Sequence, residues 1–303
     1  MTTKKAVIAL GLVLTAVVLA VATNARRFAS GVFDRSPLCS YSEVWAAFRD
    51  GANRRQFSQQ LRAASRRLWE GGDGFDLWQT PKGAWWVPAY ESHVLYGLLT
   101  EQEHNIYSTG GHGVRPGDVV LDCGAHVGVF TVTALRAGAA RVVAIEPGPE
   151  ALICLRENLA KEIAAGRVIV YPKGVWSKND SLTLSADDSS AGRSVMRRPR
   201  DTRDLPRVPL TTIDKIVAEL QLERVDFIKM DIEGAEVPAL QGAHETLARL
   251  KPRLAIAGYH NRDDSVTIPA AVLKAYPGYR FECGPCRGPL AWRPEVLFFT
   301  PPS

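Results

Sequence analysis

Cysteine is sparse, with five residues, Cys39, Cys123, Cys154, Cys283 and Cys286, in a chain of 303. Thiols this few and this scattered do not make the framework of a disulfide-stapled secreted domain, so a reducing compartment is expected. A large excess of one charge is also missing. The 37 lysines and arginines exceed the 32 acids by only five, a net charge of +5, too weak to nominate nucleic acid, and no nucleic-acid partner is expected. No internal repeat is visible. The 46% of hydrophobic residues is enough for one full α/β core plus an extension at one end.

The N-terminus is where apolar residues concentrate. From Ala6 to Thr23 every residue is apolar or small, with Lys4 and Lys5 on one side and Arg26 and Arg27 on the other. Such a run is long enough to cross hydrocarbon as a helix, and residues 1–30 are expected to be a single-pass membrane anchor. Two other readings stay open: a signal peptide cleaved near Ala20-Val21-Ala22, and a buried soluble helix. Arg26, Arg27 and Arg35 slightly outweigh Lys4 and Lys5, which places the bulk of the chain on the cytoplasmic side.

Residues 31–115 read as a helical, aromatic-rich extension. Val44, Phe48, Phe57, Leu61, Ala64 and Leu68 recur at helical spacing while Arg54, Arg55, Arg62, Arg66 and Arg67 fill other positions. This basic amphipathic helix, whole or broken near Gly51, either lies on anionic lipid or packs on the rest of the protein with its charges in water. Gly71 to Gly83, with Asp73, Asp76 and Pro81, reads as a loop. Trp85, Trp86 and Tyr90 read as packing rather than as a substrate pocket.

From Val119 onward short β-rich runs alternate with helical ones. Strands are predicted at 119–122, 141–146, 168–171, 225–231, 253–259, 280–283 and 296–300, with helices at 127–137, 149–161, 212–220, 236–250 and 268–275. The fold class is therefore α/β: over 116–303 a seven-stranded, mostly parallel, Rossmann-like sheet with helices on both faces, one of its last two strands entering antiparallel. The polar, arginine-containing stretch 182–208 reads as a hairpin and surface loop.

Three strand ends carry the chemistry. In Val119-Val120-Leu121-Asp122-Cys123-Gly124-Ala125-His126-Val127-Gly128 an apolar strand ends in an acid and runs through a glycine turn into a helix, at the sheet edge where ligands bind. The G-x-G-x-x-G triplet of a dinucleotide site is absent, and an acid before the first glycine suits a cofactor with a cationic amino-acid part better than a diphosphate. S-adenosylmethionine carries both an ammonium and a sulfonium. Ala144-Ile145-Glu146-Pro147-Gly148 ends the next strand in a carboxylate that can accept both ribose hydroxyls of a nucleoside. In Ile228-Lys229-Met230-Asp231-Ile232-Glu233-Gly234-Ala235-Glu236, Asp231 and Glu233 are expected to face the cofactor and substrate crevice; the other reading, that Glu233 and Glu236 begin the next helix where its dipole favours acids, is preferred for Glu236.

On these motifs, with PLTTID at Pro209 to Asp214, the stretch from about Gly117 to Thr300 resembles the FkbM-type methyltransferase family. The resemblance implies a class I S-adenosylmethionine fold and O-methylation of a sugar, a lipid-linked glycan or a natural product. Carried over by position, Asp122, Gly124, Ala125, His126, Gly128, Glu146 and Pro147 would form the cofactor site, with Asp231 close to the transferred methyl. Members often have Asn where His126 stands. Export through a cleaved signal would separate such an enzyme from cytosolic S-adenosylmethionine, which weighs against that reading.

His260 follows the fifth predicted strand and so lies at the same edge. A histidine there is suited to take the acceptor's proton, with Asp231 orienting the substrate. The alternatives are a loop-satisfying histidine, or a divalent ion on His260, Asp231, Asp263 and Asp264; no closely spaced ligand set compels the ion, and no metal is expected. Cys283-Gly-Pro-Cys286 has too few ligands for a metal site and the wrong setting for a thioredoxin motif, and reads as a tight turn. Two rival functions remain: a nucleotide-dependent oxidoreductase, and a membrane-surface binding protein that keeps the fold without turnover. The partners expected are a small-molecule, glycan or lipid-linked acceptor and a membrane, reached through the anchor and the arginine-rich helix.

Overall fold

The computed structural model describes residues 34–72, 74–183, 207–288 and 292–302. The predicted anchor, the five arginines between 193 and 203 and Asp73 lie outside these residues. Among the described residues no helix is long and apolar enough to cross a membrane.

Helix α1 (Tyr41–Ala63) is opened by Ser40, whose side chain accepts from the Glu43 backbone amide while the Glu43 carboxylate takes the Ser40 amide, a capping box. The helix buries Val44 and Leu61 and leaves Arg55 and Arg62 in water. Arg54 turns inward, its Nη1 2.7 Å from the buried Glu295. The charged helix is thus packed on the protein. Arg66 and Arg67, read above as helical, instead lie on strand β1 (Arg66–Glu70), which pairs antiparallel with β2 (Phe75–Thr80), and β2 pairs with β3 (Gly83–Pro88). The expected loop at 71–83 is therefore largely strand. Its glycines and Pro81 mark turns, while cross-strand pairs such as Trp78 with Trp85 supply the pairing that no local periodicity signals. Trp85 is buried beneath this sheet against helix α2 (Ser92–Glu103), as packing predicted, and Tyr90 is exposed.

The main sheet contains β4 (Val119–Cys123), β5 (Arg141–Ile145), β6 (Val168–Tyr171), β10 (Phe227–Met230), β11 (Arg253–Ala257), β12 (Arg280–Cys283) and β15 (Val296–Thr300), in the order β12-β15-β11-β10-β4-β5-β6. Strands β6, β5, β4, β10 and β11 run parallel, and β15 enters antiparallel to both neighbours. All seven predicted strands form. The central ones are near-continuous apolar runs because helices cover both faces. Helix α3 (Val129–Arg136) follows β4, and α4 (Pro149–Asn158) and α5 (Ala160–Ala164) follow β5. A small three-stranded sheet holds β7 (Gly174–Val175), β8 (Asp180–Thr183) and β9 (Arg207–Thr211), the last two being the antiparallel arms of the expected hairpin. Helix α6 (Ile213–Glu219) precedes β10. The helix predicted at 236–250 is two, α7 (Glu236–Gln241) and α8 (His244–Arg249), parted at Gly242, where a Cβ would lie 2.1 Å from the Trp176 carbonyl oxygen. Helix α9 (Asp264–Ala275) follows β11.

The short strands β13 (Cys286–Arg287) and β14 (Arg293–Pro294) precede β15. Cys286 on β13 is disulfide-bonded to Cys39, across 247 positions. This overturns the reading of Cys286 as a mere turn residue and runs against the expected reducing compartment, while Cys123, Cys154 and Cys283 remain thiols. A bridge of this kind persists in oxidising rather than reducing surroundings. It was invisible in the sequence because pairing depends on the docking of residues 34–63 against β13 and β14, where Cys39, Val44, Cys286 and Trp292 form one buried cluster.

Candidate functional site

A pocket lined by titratable side chains lies at the C-terminal ends of β4, β5 and β10. It is floored by Gly124, Ala125 and His126, walled by Glu146 and Pro147 on one side and by Asp231 and Glu233 on the other, and roofed by Glu101 and Tyr107. The turn after β4 is fixed first by its backbone. The Gly124 and Ala125 amides both donate to the Ile145 carbonyl, at 3.0 and 3.1 Å, and the Asp231 amide donates to the Cys123 carbonyl at 3.1 Å. Gly124 has φ +81°, and a Cβ on it would sit 2.0 Å from the Asp231 carbonyl oxygen, so only glycine lets the two strand ends approach this closely. Gly128 has φ +94° and does not line the pocket; its missing side chain makes room for Leu155 and Leu159.

Glu146 is almost fully buried. Its Oε2 accepts from the His126 amide at 2.9 Å and its Oε1 from the Gly148 amide at 2.7 Å. Burial raises its pKa, opposed by His126 and these backbone donors. Each oxygen keeps a lone pair after its backbone bond, so the carboxylate is fixed in place and still able to accept. The His126 ring does not face the pocket as a free group; its Nε2 is 2.9 Å from Oε2 of the buried Glu91.

Asp122 departs from expectation. It is fully buried beneath the turn and is not among the residues lining the pocket. Its Oδ2 accepts from Thr131 Oγ1 at 2.6 Å, and its Oδ1 is 3.3 Å from Lys229 Nζ. Lys229 also donates to the Gly124 carbonyl at 2.8 Å. The Asp122 carboxylate therefore braces the floor of the pocket from below instead of presenting itself to a ligand. Lys229 was missed as a functional residue, although a lone lysine inside the apolar strand Phe227–Met230 is itself a signal, because a buried ammonium needs a partner. Burial disfavours its charge, but Asp122 and Asp231 outweigh this and raise its pKa.

Asp231 lies where predicted, at the pocket. Tyr107 donates its hydroxyl to Asp231 Oδ2 at 2.5 Å, and His260 Nε2 is 3.3 Å from Asp231 Oδ1. Burial pushes the Asp231 pKa up, yet Lys229, His260 and Tyr107 together bring it below its ordinary value. Glu101 and Glu233 are both pushed up to about 7, chiefly by burial. Neither Tyr107 nor Glu101 carries a sequence signal, since both come from the extension and reach the site only by tertiary packing.

His260 adjoins Asp231 without lining the pocket. Its Nδ1 is 2.9 Å from Glu236 Oε1, and its Nε2 is also 3.8 Å from Glu233 Oε2. Burial lowers the ring's pKa, but the Glu236 hydrogen bond and the charges of Asp231, Glu236 and Glu233 prevail and raise it to about 9. The same carboxylates favour the protonated ring over the neutral one that a general base requires. Of the other acids once considered beside it, Asp264 is occupied with Asn261, accepting from its amide at 2.6 Å and its side chain at 3.0 Å.

The arrangement offers a rigid acceptor for a nucleoside, a close-approach backbone floor and a wall of carboxylates suited to a cationic ligand. Residues 122–279 match the model of the methyltransferase FkbM domain. The chain is 27% identical over 219 residues to the 31-O-demethyl-FK506 methyltransferase FkbM of Streptomyces tacrolimicus, covering 63% of this chain and 83% of that protein. It is 29% identical over 214 residues to the AMB antimetabolite synthetase AmbE of Pseudomonas aeruginosa, covering 58% of this chain but only 10% of AmbE. Among solved structures, a methyltransferase FkbM from Methylobacillus flagellatus aligns with a TM-score of 0.49 at 22% identity, over 85% of this chain and 61% of that one.

Proposed function

Because this chain belongs to the FkbM family of methyltransferases, we propose that it transfers the methyl group of S-adenosylmethionine to a hydroxyl oxygen of a glycan, a lipid-linked molecule or a natural product. S-adenosylmethionine supplies an electrophilic methyl carbon on a positively charged sulfur. The observation that carries the reading is Glu146, held by two backbone amides at the pocket wall beside the Gly124 floor. Glu146 accepts the ribose hydroxyls, the Gly124 and Ala125 backbone lets the nucleoside approach, and Asp231 with its neighbouring carboxylates attracts the cationic end. Asp231, kept ionised by Lys229, also stands where an acceptor hydroxyl would be oriented. Oxygen as the accepting atom is supported by the Streptomyces relative, a 31-O-demethyl-FK506 methyltransferase.

Titration calorimetry of the full chain with S-adenosylmethionine and S-adenosylhomocysteine tests this. Glu146→Ala is expected to weaken both by at least about tenfold, or roughly 1.4 kcal/mol. A folded protein that binds neither ligand would leave the fold as a surface-binding module, and binding of NADH in their place would favour the oxidoreductase.

The proposed division is an anchor at 1–30, an extension at 31–115 and the methyltransferase domain at 116–303. The anchor rests on the unbroken apolar run from Ala6 to Thr23 and its basic flanks. Those flanks, together with the need for cytosolic S-adenosylmethionine, support a cytoplasmic catalytic domain, with the exposed arginines of α1 available to anionic lipid. The Cys39–Cys286 bridge pulls toward an oxidising side. Membrane fractionation followed by protease protection decides both points: the chain is expected to stay with membranes through high salt and to be cut only when the cytoplasmic face is open. Release by salt, or cleavage from the outside, would reject anchor or orientation respectively.

A further inference from the structure

The carboxylates around His260 converge more tightly than orienting one ring requires. One ligand atom from each of Asp231, Glu236 and His260 lies within 4.8 Å of the other two. Glu236, which the sequence explains as a helix-starting acid, is fully buried. Its Oε1 takes the Ile232 amide at 3.0 Å and the His260 Nδ1 at 2.9 Å, while its Oε2 is buried with no hydrogen-bond partner. A buried carboxylate left half-satisfied is costly unless something positively charged shares its surroundings. By engaging Nδ1, Glu236 also fixes which nitrogen faces the pocket: Nε2 is directed at Asp231 Oδ1, 3.3 Å away, and Glu233 Oε2, 3.8 Å away. A carboxylate behind a histidine, holding the other ring nitrogen toward further oxygen ligands, is the arrangement by which proteins orient metal-binding imidazoles.

We infer that His260 and Asp231, with Glu233 beside them and Glu236 in support, bind a divalent cation at the edge of the pocket. The ion takes the place of the proton on Nε2, as metal binding at histidine releases protons. An imidazole with carboxylates suits Mn²⁺, Fe²⁺ or Zn²⁺ better than Ca²⁺ or Mg²⁺, which favour all-oxygen sites. Asp231 and Glu233 line the pocket, so the remaining coordination positions of the ion open toward the place where the acceptor would lie. Resting on the methyl-transfer reading, the role that follows is to bind the acceptor hydroxyl and lower its pKa. The hydroxyl proton leaves to solvent, the oxygen–carbon bond forms as the carbon–sulfur bond breaks, and the electron pair stays on sulfur.

Mn²⁺ is the probe. The full chain is stripped with EDTA, titrated with Mn²⁺, and free ion is counted by electron paramagnetic resonance, with no methyl transfer required. One Mn²⁺ per chain is expected. His260→Gln and Asp231→Asn should each weaken it at least tenfold, and Glu236→Gln about 10–100-fold, as for other orienting carboxylates. Glu146→Ala should leave Mn²⁺ binding intact while S-adenosylhomocysteine binding falls, which separates this site from the cofactor site. Absence of Mn²⁺ binding by the folded wild-type chain overturns the inference, and so does undiminished binding by a folded His260→Gln variant.

Discussion

Lys229→Met is expected to destabilise the protein by about 3–5 kcal/mol, the cost typical of leaving one member of a buried ion pair without its partner. The lysine side chain is 5% exposed and Asp122 0%, so solvent does not screen the pair. The change strands the Asp122 carboxylate beneath the pocket floor and removes the 2.8 Å bond to the Gly124 carbonyl. Urea denaturation followed by circular dichroism measures the loss. The double variant Asp122→Asn, Lys229→Met should recover part of it, because a neutral amide keeps a partner in Thr131, 2.6 Å from the present carboxylate, without a buried charge. A single variant as stable as the wild type would mean that Asp122 is stabilised by Thr131 alone, and that the lysine is not a brace.

Breaking the Cys39–Cys286 bridge has the second large effect. It closes a span of 247 positions, and loss of a native disulfide costs about 2–5 kcal/mol, more for longer loops in the chain-entropy account. Cys39→Ser should therefore lower the denaturation midpoint clearly, and wild-type protein in reductant should match it. Without the bridge, α1 keeps its ion pair from Arg54 to Glu295 at 2.7 Å and the packing of Val44 with Trp292. Equal midpoints with and without reductant would show that packing of Val44 and Trp292 holds this segment without the bridge.

These two interactions also mark the limit of what was legible beforehand. The strand ends at Asp122, Glu146 and Asp231 were placed correctly at one edge of one sheet, because apolar strand runs, glycine turns and helix starts are local patterns. Locality does not say which way a strand-end carboxylate points. Asp122 and Asp231 both end strands, yet the first turns under the floor to Lys229 and the second faces the pocket. The extension shows the same boundary: a helix was legible over 41–63, whereas the strands at 75–80 and 83–88 needed cross-strand partners to exist.

The amino-acid sequence alone determined the α/β class, the succession of the seven main strands, the single antiparallel entry and the sheet edge that carries the pocket. Each of these is written in periodicity, in turn chemistry and in residues only a few positions apart. Tertiary structure alone decided the bridge from Cys39 to Cys286, the burial of Asp122 on Lys229, the arrival of Tyr107 and Glu101 at the pocket, and the carboxylates gathered around His260. Those features depend on distances between residues far apart in the chain and on the loss of water around them, and neither quantity exists until the sheet has closed.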